Sequence, residues 1–261
     1  MSSEHHNNAI LAMSDIAFSY EREKPLINNL SLSLYNKEFV GLLGPNGSGK
    51  STVLKLASGI LTPGRGTIQL WGKPLLSYKN RDRAKLICYL PQLLDMHIPF
   101  TVKELVSMGL YPYDIKPEMS VIEALRCVDL TEKAEQYIEQ LSGGERRRAF
   151  LAMTLLQGAG ILLLDEPFAN LDIRYQAEIV TLLHNLRSEK NISMLMALHD
   201  VNIASRFDKI ILIKQGHVLA SGTPADVLKK NLLKEAFDVD LSIIEDHTGK
   251  RHIYYEMDSF R

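Results

Sequence analysis

The chain has 261 residues, and its 30 Lys plus Arg against 31 Asp plus Glu give a net charge of −1 at pH 7. This balance argues against nucleic acid or an anionic membrane surface as the main partner, because both select basic proteins. Apolar residues make up 46% of the sequence and charged residues 23%, which is typical of a globular domain and excludes wholesale disorder.

The ends and the cysteines narrow the class of protein further. Residues 1–8 form a polar tail without the apolar stretch of a signal peptide, and no segment approaches the roughly 18 apolar residues of a membrane-spanning helix. Cys88 and Cys127 lack metal-ligand spacing, which argues against structural zinc and a disulfide framework. We therefore expect a soluble protein that acts at a membrane only through a partner.

The first third of the chain predicts mainly strands. Apolar residues alternate with small or polar ones at 16–20 and at 30–34, which is the period of half-buried strands. An apolar burst at 39–43 precedes helical spacing at 52–57, so we expect a strand, a loop and a helix in that order. A further strand is predicted at 66–70.

The middle of the chain changes to helical spacing. From 102 to 140 the apolar residues recur every three or four positions, with interruptions at Pro112 and Pro117. We interpret this part as a helical insertion. Strands and helices then alternate, which argues for an α/β fold with a mostly parallel sheet. The predicted elements are a helix ending at 157, strands at 161–164, 193–197 and 209–214, helices at 179–186, 201–206 and 225–236, and a hairpin turning at Thr248 and Gly249.

A glycine-rich segment between a predicted strand and a predicted helix matches the pattern G-x-x-x-x-G-K-[ST]. Its glycines let backbone amides turn inward and form an anion-binding nest at a helix N-terminus. We expect Lys50 to contact the β- and γ-phosphates of a nucleotide and Ser51 to bind Mg²⁺. The residues expected at the nucleotide are Gly44, Pro45, Asn46, Gly47, Ser48, Gly49, Lys50, Ser51 and Thr52.

A second glycine motif follows the helical insertion. Ser142, Gly143 and Gly144 precede Glu145 and open a predicted helix with a bare N-terminus, which is a second phosphate-binding device. An ordinary helix cap with Ser142 as N-cap explains the same residues equally well.

Two carboxylates end an apolar strand. Residues 161–164 are apolar, and Asp165 and Glu166 follow them, at the strand edge where ligands bind in open α/β sheets. We expect Asp165 to hold Mg²⁺ and Glu166 to act as general base toward water. The alternative is a turn before Pro167.

Together these three motifs resemble the ATPase subunits of ATP-binding cassette (ABC) transporters, over nearly the whole chain. The resemblance implies one ABC ATPase domain over 9–261. Its P-loop NTPase core would have a mostly parallel sheet, an N-terminal antiparallel β subdomain and a helical subdomain inserted at about 93–158.

The resemblance also assigns roles to four further residues. Tyr20 would stack on adenine, Gln92 would sense Mg²⁺ and the γ-phosphate, Asp172 would cross to the partner site, and His199 would contact the γ-phosphate. Each has a simpler alternative: an edge-strand end for Tyr20, a polar surface residue for Gln92, an N-cap for Asp172 and a helix cap for His199.

The family assembly implies the partners. Two subunits pack head to tail as a homodimer, and each ATP with its Mg²⁺ lies between one phosphate loop and the serine–glycine motif of the other copy. Integral membrane permease subunits dock on the helical subdomain at the cytoplasmic face of the inner membrane, and a substrate-binding protein takes part indirectly. Nucleic acid is not expected as a partner.

Three segments are similar to ATPases of importers for iron–siderophore complexes, haem and cobalamin. They are residues 198–206, residues 222–228 and residues 109–113, although Leu110 and Tyr113 depart from that group's pattern. The resemblance therefore implies an importer ATPase for a metal complex. The alternatives are an exporter subunit and a soluble ABC ATPase acting on DNA or ribosomes.

Overall fold

The structure is a computed structural model that describes residues 9–21, 24–92, 99–114, 119–168, 171–245 and 251–255. The chain divides into two compact units. The first unit combines Met1–Leu75 with Leu195–Arg261, and the second unit is Leu76–Met194.

An antiparallel sheet opens the first unit, with strand order β2-β1-β4-β5. Strand β1 pairs with β2 on one side and with β4 on the other, so that Leu11 faces both Leu34 and Leu70. The alternation predicted at 30–34 is confirmed, because the apolar side chains of β2 are buried while its intervening residues are mostly exposed. The strands are β1 (Leu11–Phe18), β2 (Ile27–Leu34), β4 (Arg65–Leu70) and β5 (Lys73–Pro74).

The first unit also contains parallel strands. Strand β3 (Phe39–Leu43) pairs in parallel with β9 (Lys209–Lys214), and all five residues of β3 are buried. The part of β8 (Ser193–Leu198) that belongs to this unit lies next to β3. Strand β10 (His217–Gly222), which the sequence pattern did not predict, pairs antiparallel with β9. The predicted P-loop core and antiparallel β subdomain are therefore both present.

One helix was expected over 225–236, and that prediction is wrong. Helix α8 (Pro224–Val227) and helix α9 (Lys230–Phe237) are separate, because Leu228 has φ −79° and ψ 61°. Leu228 and Leu233 are both fully buried. At about 100° per residue, five residues would place them roughly 140° apart around one helix, so a single face would not bury both. The break lets each reach the core.

The remaining elements of the first unit are two helices and a hairpin. Helix α1 covers Lys50–Ser58, and α7 covers Val201–Ala204. Strands β11 (Leu241–Glu245) and β12 (Arg251–Tyr255) pair antiparallel, which confirms the predicted hairpin. Its expected turn at Thr248 and Gly249 lies outside the described residues.

Two parallel strands and five helices are described in the second unit. Strand β6 pairs with β7 so that Leu90 faces Leu164. Helix α5 packs against the short helices α3 and α4. The elements are α2 (Asn80–Ala84), β6 (Ile87–Leu90), α3 (Val102–Ser107), α4 (Val121–Cys127), α5 (Gly143–Gln157), β7 (Ile161–Asp165) and α6 (Ile173–Lys190). Across the described parts of both units, no helix has the length and apolar character needed to cross a membrane.

Candidate nucleotide-binding site

The glycine-rich loop of the first unit runs from β3 to the first residue of α1. A side chain on Gly44 would place its Cβ 2.2 Å from the carbonyl oxygen of Ile213. Gly49 has φ +102°, and a Cβ there would lie 2.5 Å from Ile27 Cδ1. Only glycine fits at these two positions, because the backbone of the loop packs closely against Ile213 and Ile27.

Lys50 and Ser48 show that this loop suits an anion. Lys50 is 5% exposed, and its Nζ donates hydrogen bonds to the carbonyl oxygens of Gly44 (2.8 Å) and Pro45 (3.0 Å). Ser48 Oγ is buried and has no hydrogen-bond partner within the described chain. An unsatisfied buried hydroxyl costs about 1–3 kcal/mol, a cost that an anion in the loop would relieve. The residues therefore fit a bound phosphate.

Tyr20 follows β1 and lies beside the first turn of α1. Its ring packs edge-on against Phe18 with centroids 4.9 Å apart, and its hydroxyl lies 3.4 Å from Thr52 Oγ1. The alternative of an edge-strand end does not apply, because β1 is paired on both sides. Tyr20 is 60% exposed, so its ring is available to a ligand.

His199 follows β8 and is exposed. The cap of the next helix, α7, is the neighbouring Asp200, whose Oδ1 accepts hydrogen bonds from the amides of Asn202 (2.7 Å) and Ile203 (3.3 Å). The helix cap is therefore Asp200 and not His199, so the simpler alternative for His199 is wrong.

The second unit brings three of the expected residues together. Asp165 ends β7, is 2% exposed and accepts a hydrogen bond from the Tyr89 hydroxyl (3.0 Å). Glu166 follows with φ +45°, and its Oε2 accepts a hydrogen bond of 2.6 Å from Gln92 Nε2. Gln92 is exposed, as its simpler alternative predicted, and it also directly contacts the expected general base.

The serine–glycine motif and Asp172 both lie at helix N-termini. Ser142 Oγ accepts from the Glu145 amide, and the Glu145 carboxylate accepts from the Ser142 amide, so the expected bare N-terminus of α5 is wrong. A hydrogen bond from Lys133 lowers the pKa of Glu145 and keeps this cap anionic. Asp172 caps α6 by accepting from the Tyr175 amide at 3.0 Å. Ser142 and Asp172 thus both act as N-caps, which is the role that their simpler alternatives predicted.

Arg147 is a residue that the sequence analysis missed. Its guanidinium is buried in the second unit and donates hydrogen bonds to the backbone carbonyls of Gln92, Asp165 and Glu166. The only sequence signal was three consecutive arginines after Glu145, and nothing in that run distinguishes the middle one.

The parallel strands, the glycine-rich loop and the buried acid at a strand end define a P-loop nucleotide-binding protein. A family model described as ABC transporter matches residues 27–169. The chain belongs to this family.

Relatives of this chain are similar to it in sequence over most of their length. The chain is 38% identical to the iron(3+)-hydroxamate import ATP-binding protein FhuC of Bacillus subtilis, over 86% of this chain and 86% of the relative. It is 37% identical to the hemin import ATP-binding protein HmuV of Rhodopseudomonas palustris strain HaA2, over 89% of this chain and 92% of that protein. A dimeric bacterial ABC transporter cassette superposes with a TM-score of 0.74 at 26% identity, over 82% of this chain and 98% of the cassette.

Family membership settles the class of activity. The chain is an ATP-binding protein of the ABC transporter family, and its enzymatic activity is ATP hydrolysis.

Proposed function

We propose that this chain is the ATPase subunit of an importer for an iron chelate, haem, cobalamin or a related metal complex. The observation that carries the proposal is its 37–38% identity, over most of both chains, to ATP-binding proteins named for import of iron(3+)-hydroxamate and hemin. The chain would reach the cytoplasmic face of the cell membrane through permease subunits, with a substrate-binding protein acting indirectly.

In the proposal the first unit binds ATP. The backbone amides of residues 44–52 and the Lys50 ammonium would contact the phosphates, exchanging the two carbonyl contacts of Lys50 for phosphate oxygens. Tyr20 would stack on the adenine, a contact worth roughly 1–3 kcal/mol by analogy with base–aromatic stacking. His199 would contact the γ-phosphate.

Mg²⁺ would be held by Ser51, Gln92 and Asp165, a set of oxygen donors that suits this hard cation. When bound, the ion neutralises charge on the phosphate oxygens. Glu166 would take a proton from the attacking water as general base. The 2.6 Å hydrogen bond from Gln92 supports this role, because it orients the Glu166 carboxylate.

A second copy of the chain would complete each site. Ser142, Gly143 and Gly144 lie at the N-terminus of α5, where the helix dipole favours a neighbouring anion. We assign these residues, and Asp172, to the nucleotide of the partner copy in a homodimer. The two chains would then share the ATP, and hydrolysis would release them.

The ATPase assignment is tested with two substitutions in the purified chain. Glu166→Gln removes the general base and is expected to lower turnover by roughly 10²–10⁴ while ATP binding persists. Lys50→Ala is expected to abolish ATP binding or turnover, while Lys73→Ala on the exposed strand β5 leaves both unchanged. Wild-type turnover in Glu166→Gln would refute the general-base assignment.

The cargo is tested in proteoliposomes containing the chain, its permease and its substrate-binding protein. Iron hydroxamate, haem and cobalamin are supplied in turn, and ATP-dependent accumulation is measured with wild type and with Glu166→Gln. Uptake of one of these complexes by wild type alone is expected. ATP-driven efflux would instead identify an exporter subunit.

A further inference from the structure

Arg147 lies in helix α5 with its side chain turned into the second unit. It is 6% exposed. One terminal nitrogen donates to the Gln92 carbonyl (3.2 Å), and the other donates to the carbonyls of Asp165 (3.1 Å) and Glu166 (2.6 Å). A single guanidinium therefore holds the backbone at the ends of two neighbouring strands, β6 and β7.

This burial has a cost that the surroundings must offset. A cation taken out of water loses favourable hydration. Desolvation lowers the pKa of Arg147 to about 10, with the charges of Asp165 and Glu166 acting in the opposite direction. The group therefore stays charged at neutral pH. Its Nε has no hydrogen-bond partner among the described residues, so all of its hydrogen bonds are directed to the three carbonyls.

Two of the three residues held by the Arg147 guanidinium also contact each other through their side chains. Gln92 Nε2 donates to Glu166 Oε2 at 2.6 Å. Glu166 has φ +45°, a strained left-handed conformation that a residue with a side chain keeps only where its surroundings enforce it. The hydrogen bond from Arg147 to the Glu166 carbonyl supplies such enforcement, because it fixes the peptide that follows the strained residue.

We propose that Arg147 is a positioning residue for ATP hydrolysis, which sets the orientation of the Glu166 carboxylate by holding the backbone of Glu166 and Gln92. The inference rests on the proposed role of Glu166 as general base. Arg147 lies in the first turns of α5, whose N-cap is Ser142, so it also links the serine–glycine motif to the carboxylate within one unit.

The test compares substitutions of Arg147 in the full chain. Arg147→Gln retains one short donor group, and Arg147→Lys retains the charge without the fork, so neither can hold three carbonyls. Both are expected to lower kcat by about 10- to 100-fold, the range for a slightly misplaced catalytic group, with the KM for ATP changing far less. Arg126→Gln, at an exposed position of α4, is the control and keeps wild-type kcat. If Arg147→Gln does not fold, the kcat of Arg147→Lys alone is compared with that of wild type.

A double substitution separates positioning from a general loss of structure. If Arg147 acts through Glu166, adding Arg147→Gln to Glu166→Gln changes the residual rate by no more than about twofold. Additive losses would overturn the inference, and so would wild-type kcat in both Arg147 variants. Failure of Glu166→Gln to slow turnover would instead refute the general-base assignment, so the two failures are distinguishable.

Discussion

Cys88 is a buried thiol in strand β6, and it donates a hydrogen bond to Gln157 Oε1 at 3.0 Å. Burial raises the pKa of Cys88 to about 12. In the unfolded chain a cysteine has a pKa of about 8.5. Between these values the unfolded state releases a proton that the folded state keeps, so the free energy of unfolding falls as the pH rises.

Raising the pH from 7.5 to 9.5 is therefore expected to lower the free energy of unfolding by about 1.4 kcal/mol through Cys88. Denaturant unfolding at the two pH values measures the effect, and Cys88→Ala should lack this share of the pH dependence. Cys127→Ala is the matched control, because it removes the second cysteine, which is exposed, and leaves Cys88 in place. An equal pH dependence in wild type and Cys88→Ala would contradict the assignment.

At the scale of residues, sequence alone predicted what depends on local pattern. The glycine-rich loop ending in Lys50 and the acids ending an apolar strand were found because each motif is contiguous in the chain. Arg147 was not found, because its neighbours Arg146 and Arg148 have the same chemistry. Only packing turns one arginine of the three toward the carbonyls, and packing is set by residues distant in sequence.

At the scale of helices and strands, too, the sequence predicted what depends on a local pattern. Buried parallel strands such as β3 and β7 were predicted because continuous apolar runs are typical of them. Strand β10 was missed because none of its residues is fully buried, so it lacks a clear alternation. The break at Leu228 was missed because the sequence around it continues a helical pattern, and the burial of Leu228 and Leu233 on different sides decides against one helix.

Helix α7 and strand β12 are joined by one side chain. Asn202 Nδ2 donates to the Ile253 carbonyl (3.2 Å), and Asn202 Oδ1 accepts from the Ile253 amide (2.9 Å). The amide group thus pairs with β12 as a neighbouring strand would. Because α7 begins directly after His199 and Asp200, this contact ties the hairpin of β11 and β12 to that end of the first unit.

Asn202→Ala is expected to loosen this hairpin. Losing two hydrogen bonds costs about 1–3 kcal/mol, which corresponds to roughly 5- to 150-fold faster opening. Hydrogen exchange of the peptide covering 241–255 measures this opening. Asn185→Ala, at an exposed position of α6, provides the comparison and should leave the exchange unchanged. Unchanged exchange in Asn202→Ala would show that the hairpin is held by other contacts.

At the scale of the whole molecule, the proposed homodimer makes nucleotide binding and association one event. Each chain has a single glycine-rich loop and a single serine–glycine motif, so a lone copy offers one nucleotide only part of the groups assigned to it. In this proposed dimer, ATP would supply negative charge to the helix N-terminus of the neighbouring copy. Association should therefore require ATP and last until it is hydrolysed.

Light scattering on the Glu166→Gln chain tests this link. Without nucleotide we expect the monomer mass of 29.4 kDa, and with Mg²⁺ and ATP we expect twice that mass, because slow hydrolysis preserves the dimer.

Gly143→Arg should abolish the dimer. Apart from the adjoining residues and the helix's own backbone, no described atom lies within 4 Å of a Cβ at Gly143 or at Gly160, so one copy has room for the first side-chain atom of either substitution. Gly160→Arg, which adds the same group away from the proposed interface, should keep the ATP-dependent dimer. Dimerisation of Gly143→Arg with ATP would show that this helix terminus does not meet the partner's nucleotide.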